Sequence, residues 1–185
     1  MNMKNTEEFY RFYRDKMLCL DAKPNITHFK LTEFERSGKL KAIVTQNIDG
    51  LHQRAGSKIV YELHGSILRN YCMKCHKFYD AEYICQSKEI PHCKCGGIIK
   101  PDVVLYQEGL DDNTVEKSVQ AITDADLLIV GGTSLNVYPA AGLIQYRKRT
   151  CKLVLINKTK TSADIYCDLV IHDSLGKIFA ETKIN

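Results

Sequence analysis

The chain has 185 residues, 44% of them hydrophobic, with 26 Lys and Arg against 22 Asp and Glu for a net charge of +4. That is enough apolar side chain for one ordinary domain with a small insertion. The basic excess is too slight, and too scattered apart from Arg147-Lys148-Arg149, to suggest a nucleic-acid surface. No apolar run reaches membrane-spanning length, and MNMKNTEEFYRFYRDK places charges where a signal peptide has an apolar stretch. The cytoplasm is therefore the expected compartment, with neither nucleic acid nor membrane as a partner.

Phe9, Tyr10, Tyr13, Met17 and Leu20 fall at helical spacing and predict an amphipathic helix over 7–20, which Pro24 stops. Asn25 is a suitable N-cap for a second helix, which Ser37-Gly38 ends. Ala42-Ile43-Val44 reads as a short buried strand running into Thr45-Gln46-Asn47-Ile48-Asp49-Gly50, and 59–63 (IVYEL) as another, ending at His64-Gly65. Residues 65–100 hold a cysteine module, and Asp102–Tyr106 is an extended apolar run. Asp112 or Asn113 caps a helix with Val115, Val119 and Ile122 on one face. Leu127–Val130 reads as a buried strand leading to Gly131-Gly132-Thr133-Ser134. Pro139 fits a helical first turn, Lys152–Ile156 and Leu169–Ile171 are strands, and a C-terminal helix follows.

Short apolar strands alternating with amphipathic helices predict an α/β fold: a Rossmann-like parallel sheet with helices on both faces, plus a small zinc-binding module. The expected division is 1–64 with 101–185 for the sheet domain, and 65–100 for the module. Ligands of such sheets bind beyond the C-terminal strand ends, and four strands here end in TQNIDG, HG, GGTS and NKT.

Eight cysteines in a reducing compartment point to metal or redox chemistry when closely spaced. Cys72-x2-Cys75 and Cys93-x-Cys95-Gly96-Gly97 are separated by seventeen residues. Two close pairs on tight turns can supply four thiolates to one tetrahedral zinc ion. His76 and His92 adjoin them as alternative ligands, but four thiolates already complete a closed site. Such a site leaves no open position for water and is expected to be structural rather than catalytic. Cys19, Cys85, Cys151 and Cys167 read as packed side chains.

Gln46, Asn47 and Asp49 could grip a carboxamide or ribose hydroxyls, or simply form an Asx turn. His64 could be a general base or a structural hydrogen-bonder. Gly131-Gly132-Thr133-Ser134 could approach a phosphate through its backbone, and Asn157 follows a strand where a nucleotide often lies.

Taken in order, PN-x2-H at Pro24, Asn25 and His28, then TQNIDGLHQRAGS, ELHGS, the cysteine pairs, KPDVVLYQE, GTSLNVYPAAG and IN closely resemble the sirtuins, from about residue 9 onward. Sirtuins are NAD-dependent protein lysine deacylases. The resemblance implies that Gln46, Asn47, Ile48 and Asp49 line the nicotinamide and ribose side of an NAD site. Gly132, Thr133 and Ser134 then meet phosphates and ribose, and Asn157 and Asp173-Ser174 lie near the adenosine. His64 is the implied catalytic base, and the implied products are free lysine, nicotinamide and O-acyl-ADP-ribose. Val104–Glu108 and Leu135–Tyr138 resemble the family's clamp for an acylated lysine peptide, with Val104, Tyr106, Glu108, Leu135 and Val137 as the contact residues. Gln107 stands where many sirtuins have glycine.

The family's GAG-x-S loop and DFR segment have no counterpart here, and no glycine precedes Gly38. That leaves a truncated reading frame, a piece of a longer protein, or a strand supplied by a partner as explanations. Protein ADP-ribosyl transfer and a non-catalytic zinc-bearing fragment stand as alternative functions.

Overall fold

The computed structural model describes residues 5–105 and 107–183. They divide into two compact units. One comprises the described part of Met1–Lys23 with Asn47–Gly50 and His64–Gly109, and the other Pro24–Gln46, Leu51–Leu63 and the described part of Leu110–Asn185. The first helix and the 47–50 loop thus group with the cysteine segment.

The first unit opens with α1 (Thr6–Phe12), capped by the Asn5 side chain and continued by a π turn over Tyr13–Met17. Its antiparallel sheet pairs β3 (Gly65–Cys72) with β4 (Phe78–Tyr79) on one side and β5 (Ile99–Val103) on the other. A short helix, α4 (Ala81–Gln86), starts at the Asp80 cap. Tyr13, Ile67, Cys72, Ile84, Cys93, Ile99 and Val103 form the core, with Phe9 and Met17 packed against it. The amphipathic period read over 7–20 is therefore a core-facing stripe. Tyr10 is fully buried, and its hydroxyl donates to the Ile99 carbonyl at 2.7 Å. Burial pushes that phenol up to about 12, against a smaller opposing pull from Arg14.

The second unit carries the parallel strands. β1 (Ile43–Thr45) pairs with β2 (Val60–Glu62), with the short helix α3 (Leu51–Ala55) between them in the chain, and β6 (Leu127–Gly131), β7 (Lys152–Ile156) and β8 (Leu169–Ile171) form a separate three-stranded sheet in that order. The architecture is the expected α/β arrangement of parallel strands with helices, here in two sheet pieces. α2 (Ile26–Arg36) starts where read, at Asn25, whose side chain accepts from the Thr27 and His28 N–H groups while the His28 ring accepts from the Asn25 N–H. α5 (Asp112–Asp124) is capped one residue earlier than expected, by Asp111, because that carboxylate reaches the Thr114 N–H at 2.8 Å. Val115, Val119 and Ile122 of α5 pack with Leu63, Leu143, Val44 and Leu128 as one cluster. Each fully buried side chain of this size stabilises by about 1.5–3 kcal/mol. α6 (Leu175–Glu181) packs on α2 through Phe34 and Phe179, with ring centroids 6.0 Å apart. Among the described residues, no helix is long and apolar enough to cross a membrane.

Two expectations change. Leu127–Val130 reads as a buried strand, yet Leu127 is 49% and Ile129 42% exposed. Apolar composition sets what a strand tolerates, not whether a neighbour covers it. Asp102–Tyr106 reads as one extended run, yet Val104 and Leu105 lie outside any strand. β5 ends at Val103, and Gln107 and Leu135 both take positive φ values, 71° and 55°.

Candidate metal centre and cosubstrate residues

The cysteine module is built by β3, which delivers Cys72 at its end, and by the turn that precedes β5. Lys74 donates its N–H to Cys72 Sγ at 3.4 Å, the kind of backbone-to-sulfur bond that orients a thiolate ligand. The second turn needs glycine. A Cβ on Gly97 would sit 2.7 Å from Cys72 Sγ and 2.7 Å from Lys74 Cβ, so the sulfurs could not converge.

The four Sγ atoms lie within 4.8 Å of one another, with Cys72–Cys95 at 3.5 Å, Cys75–Cys93 at 3.6 Å and Cys75–Cys95 at 3.4 Å. Sulfurs at the corners of a zinc tetrahedron stand about 3.8 Å apart, given metal–sulfur bonds of roughly 2.3 Å. The set fits that ion. All eight cysteines are free thiols. Among the described residues, the cluster holds the four cysteines and neither His76 nor His92.

The electrostatics point the same way. Burial pushes the Cys72 thiol up, but the N–H groups of Cys75 and Lys74 and the neighbouring sulfurs outweigh it and hold it below the ordinary value. The Cys95 N–H and the Tyr79 hydroxyl lower Cys93 to about 6. The Lys77 N–H pulls Cys75 down, but the three facing sulfurs prevail and push it up to about 12. Four thiolates this close need a cation among them, and a dication supplies it. Tyr79 as a hydroxyl donor to Cys93 had no signal in the cysteine spacing.

In the same unit, His64 is half-buried just ahead of β3, and its carbonyl accepts the Val104 N–H at 3.1 Å. The turn beside it depends on Gly65, whose φ is 76° and whose Cβ would run into the Asp102 carbonyl oxygen. The Asn47–Asp49 loop is tied close by: the Ile48 carbonyl accepts from the Ile67 N–H at 2.9 Å and from Ser66 Oγ at 3.4 Å. Asn47 is exposed, and Ile48 and Asp49 are half-buried.

Glu108 serves its own loop. Its carboxylate accepts from the Leu105 N–H at 3.0 Å and pairs with Lys100 at 3.0 Å, and Lys100 also donates to the Val103 carbonyl. Burial works against the ionised carboxyl, but these two donors hold it below the usual carboxylate range. Tyr106 lies outside the described residues.

In the second unit, Gln46 past β1 and Thr133 past β6 are brought together, with Nε2 donating to Oγ1 at 3.4 Å. Thr133 Oγ1 also accepts the Leu135 N–H at 3.2 Å. Gly132 and Ser134 are exposed at this strand end, Leu135 is buried in the core and Val137 is exposed. Asn157 follows β7, its N–H bonded to the Ile171 carbonyl and its amide donating to the Thr159 carbonyl at 2.9 Å. Asp173 accepts from the Ser174 N–H and Lys177, which keep it low. Gln46, Gly132, Thr133, Ser134 and Asn157 therefore all lie just past C-terminal ends of parallel strands, where open α/β sheets bind nucleotides.

The Sir2 family pattern matches residues 1–139. The chain belongs to the Sir2 family. The NAD-dependent protein deacetylase of Clostridium acetobutylicum is 65% identical to this Sir2 chain over 182 residues, which is 97% of the chain and 74% of that protein. That of Clostridium perfringens is 61% identical over 176 residues, 95% of the chain and 72% of that protein. A solved Sir2 bound to acetylated peptide superposes with a TM-score of 0.88 at 37% identity, over 94% of this chain and 75% of that one. A Sir2 structure with a peptide and NAD+ gives 0.87 at 34% identity, over 97% and 81%.

Proposed function

We propose that this Sir2 chain is an NAD-dependent protein lysine deacetylase of a reducing, cytoplasmic setting, and that it acts as a transferase of the acyl group to ADP-ribose. The observation that carries the reading is its 65% identity to a deacetylase across nearly its whole length. Eight free thiols suit that setting.

Bound NAD supplies a ribose carbon that takes over the acyl oxygen as nicotinamide leaves. The chain's own residues do the rest. Gln46, Asn47 and Asp49 orient the nicotinamide ribose through amide and carboxylate groups with Ile48 beside them, while Thr133 and Ser134 offer hydroxyl donors to phosphate and Gly132, whose N–H goes to the Ile156 carbonyl, leaves room for close approach. Asn157 holds the adenosine side. His64 accepts a ribose hydroxyl proton at its ring, and the Val104 bond to its carbonyl fixes where the ring starts from. Val104, Glu108, Leu135 and Val137 shape the peptide position. Glu108 does so by stapling its loop rather than by touching substrate, since its carboxylate is already engaged. Zinc on Cys72, Cys75, Cys93 and Cys95 keeps its own unit folded and takes no part in the chemistry.

The test is nicotinamide release from NAD with an acetyl-lysine peptide. His64→Ala should remove turnover by at least about 100-fold while leaving zinc content at one per chain. Unchanged turnover in that variant sinks the base assignment. Transfer of labelled ADP-ribose to protein without deacetylation sinks the reaction itself.

A further inference from the structure

The 157–161 loop leaves β7 and is held at both ends by groups farther along the chain. At its start, the Asn157 N–H goes to the Ile171 carbonyl of β8, and the Asn157 carbonyl lies 3.1 Å from His172 Nδ1. At its end, Asp164 Oδ1 accepts the Thr161 N–H at 2.9 Å and the Thr161 hydroxyl at 2.8 Å. Asp164 opens the 3-10 turn Asp164–Tyr166, and its other oxygen, Oδ2, lies 3.0 Å from His172 Nε2. One imidazole therefore joins the two holds.

Both ring nitrogens of His172 face acceptors, a carbonyl and a carboxylate. A neutral imidazole carries one N–H, so either tautomer sets a lone pair against an oxygen, and only the imidazolium donates to both. Histidine changes charge between about pH 5 and 8. Its partner stays ionised there: the Thr161 N–H holds the Asp164 carboxyl below its usual range against burial, helped by the Thr161 hydroxyl and His172. The other charges on the neighbouring segments are placed elsewhere. Asp173 pairs with Lys177 of α6 and accepts the Ser174 N–H, and Asp168 pairs with Lys152 at the opposite end of β7 and β8. Lys158 and Lys160 are exposed on the loop itself.

Asn157 is the residue read above as holding the adenosine side. Its amide nitrogen donates to the Thr159 carbonyl at 2.9 Å, and its Oδ1, with no partner among the described residues, can accept from a ribose hydroxyl or an adenine amino group. We infer that His172 is a positioning residue for the cosubstrate: as the imidazolium it clasps Asn157 to Asp164 and fixes the 157–161 loop, so the grip on NAD tightens as pH falls through the histidine range. The NAD part rests on that reading of Asn157, and the clasp itself does not. The two side chains are 34% and 19% exposed, so the effect is that of a partly screened ion pair, about threefold in affinity.

The test compares the zinc-loaded 185-residue protein with His172→Gln, Asp164→Asn and His172→Arg at about pH 6 and about pH 8, either side of most histidine titrations. Amide hydrogen exchange reads the loop without any ligand, and calorimetric titration with NAD reads the cosubstrate. At the lower pH, His172→Gln should exchange the Asn157 and Thr161 amides about threefold faster than the unsubstituted protein and bind NAD about threefold more weakly, and at the higher pH the two should converge. Asp164→Asn should flatten the pH dependence of NAD binding. His172→Arg, a permanent cation with several donors, should keep the tighter values at both pH values, which a space-filling role for His172 does not predict. Equal exchange in His172→Gln and the unsubstituted protein at the lower pH overturns the clasp, and so does a pH profile that survives His172→Gln unchanged. Loosened amides with unchanged NAD affinity overturn the positioning role. Loosened amides in a protein that binds NAD at neither pH overturn the adenosine reading of Asn157 and leave the clasp standing.

Discussion

Lys100 Nζ lies 3.0 Å from Glu108 Oε2, and the same carboxylate accepts the Leu105 N–H, so one ion pair closes the 104–108 loop. Glu108→Gln should lower stability by less than about 1 kcal/mol, because both partners are partly exposed and solvent screens the pair. The larger effect should be a raised KM for acetyl peptide with zinc content unchanged. The pH dependence has a definite sign. Glu108 is held below its unfolded value of about 4.3. In that window the unfolded chain binds more protons, so the pair's contribution is complete above about pH 4.3 and lost as pH falls through the folded value. Urea midpoints measured across that range should converge for the two proteins at the acid end.

Tyr10 and Tyr13 should respond oppositely to loss of their hydroxyls. Tyr10 donates to the Ile99 carbonyl, whereas the buried Tyr13 hydroxyl has no partner among the described residues. Tyr10→Phe should cost about 1–2 kcal/mol, and Tyr13→Phe should be neutral or stabilising. Chemical denaturation of the two variants, side by side, decides it.

Gly65→Ala should be among the most damaging single-methyl additions, costing at least about 2 kcal/mol. The new Cβ both opposes the positive φ and meets the Asp102 carbonyl. Turnover should fall with it, because Gly65 sets the turn that carries His64. A melting temperature equal to that of the unsubstituted chain would contradict this.

Removing zinc should unfold the cysteine segment. Zinc bound by small modules contributes about 10 kcal/mol or more to their folding. Elemental analysis should find one zinc per chain, and less than that in Cys75→Ser. Chelation should speed amide exchange through β3 and β5, where Cys72 and Ile99 share the core.

Several features were legible because their cause is local. Asn25 caps α2 through its neighbours' N–H groups, and Cys-x2-Cys with Cys-x-Cys-Gly-Gly encodes two sulfur-bearing turns. Other features depend on distant partners. Nothing near Glu108 in the sequence announces Lys100, and nothing near Tyr10 announces Ile99, 89 residues away. Leu127–Val130 reads as buried because composition reports apolar character, while exposure depends on what packs against the strand.

By itself, the sequence determined the alternation of strands and helices, the four zinc ligands and the residues that resemble the Sir2 motifs. These follow from periodicity, turn chemistry and donor type, all properties of short stretches. Only the tertiary structure decided that the four sulfurs converge within 4.8 Å, that Glu108 staples a loop, and that the parallel strands fall into two sheets. Each of those is a relation between segments far apart in the chain. Such relations are set by long-range packing and hydrogen bonding, which no local window contains.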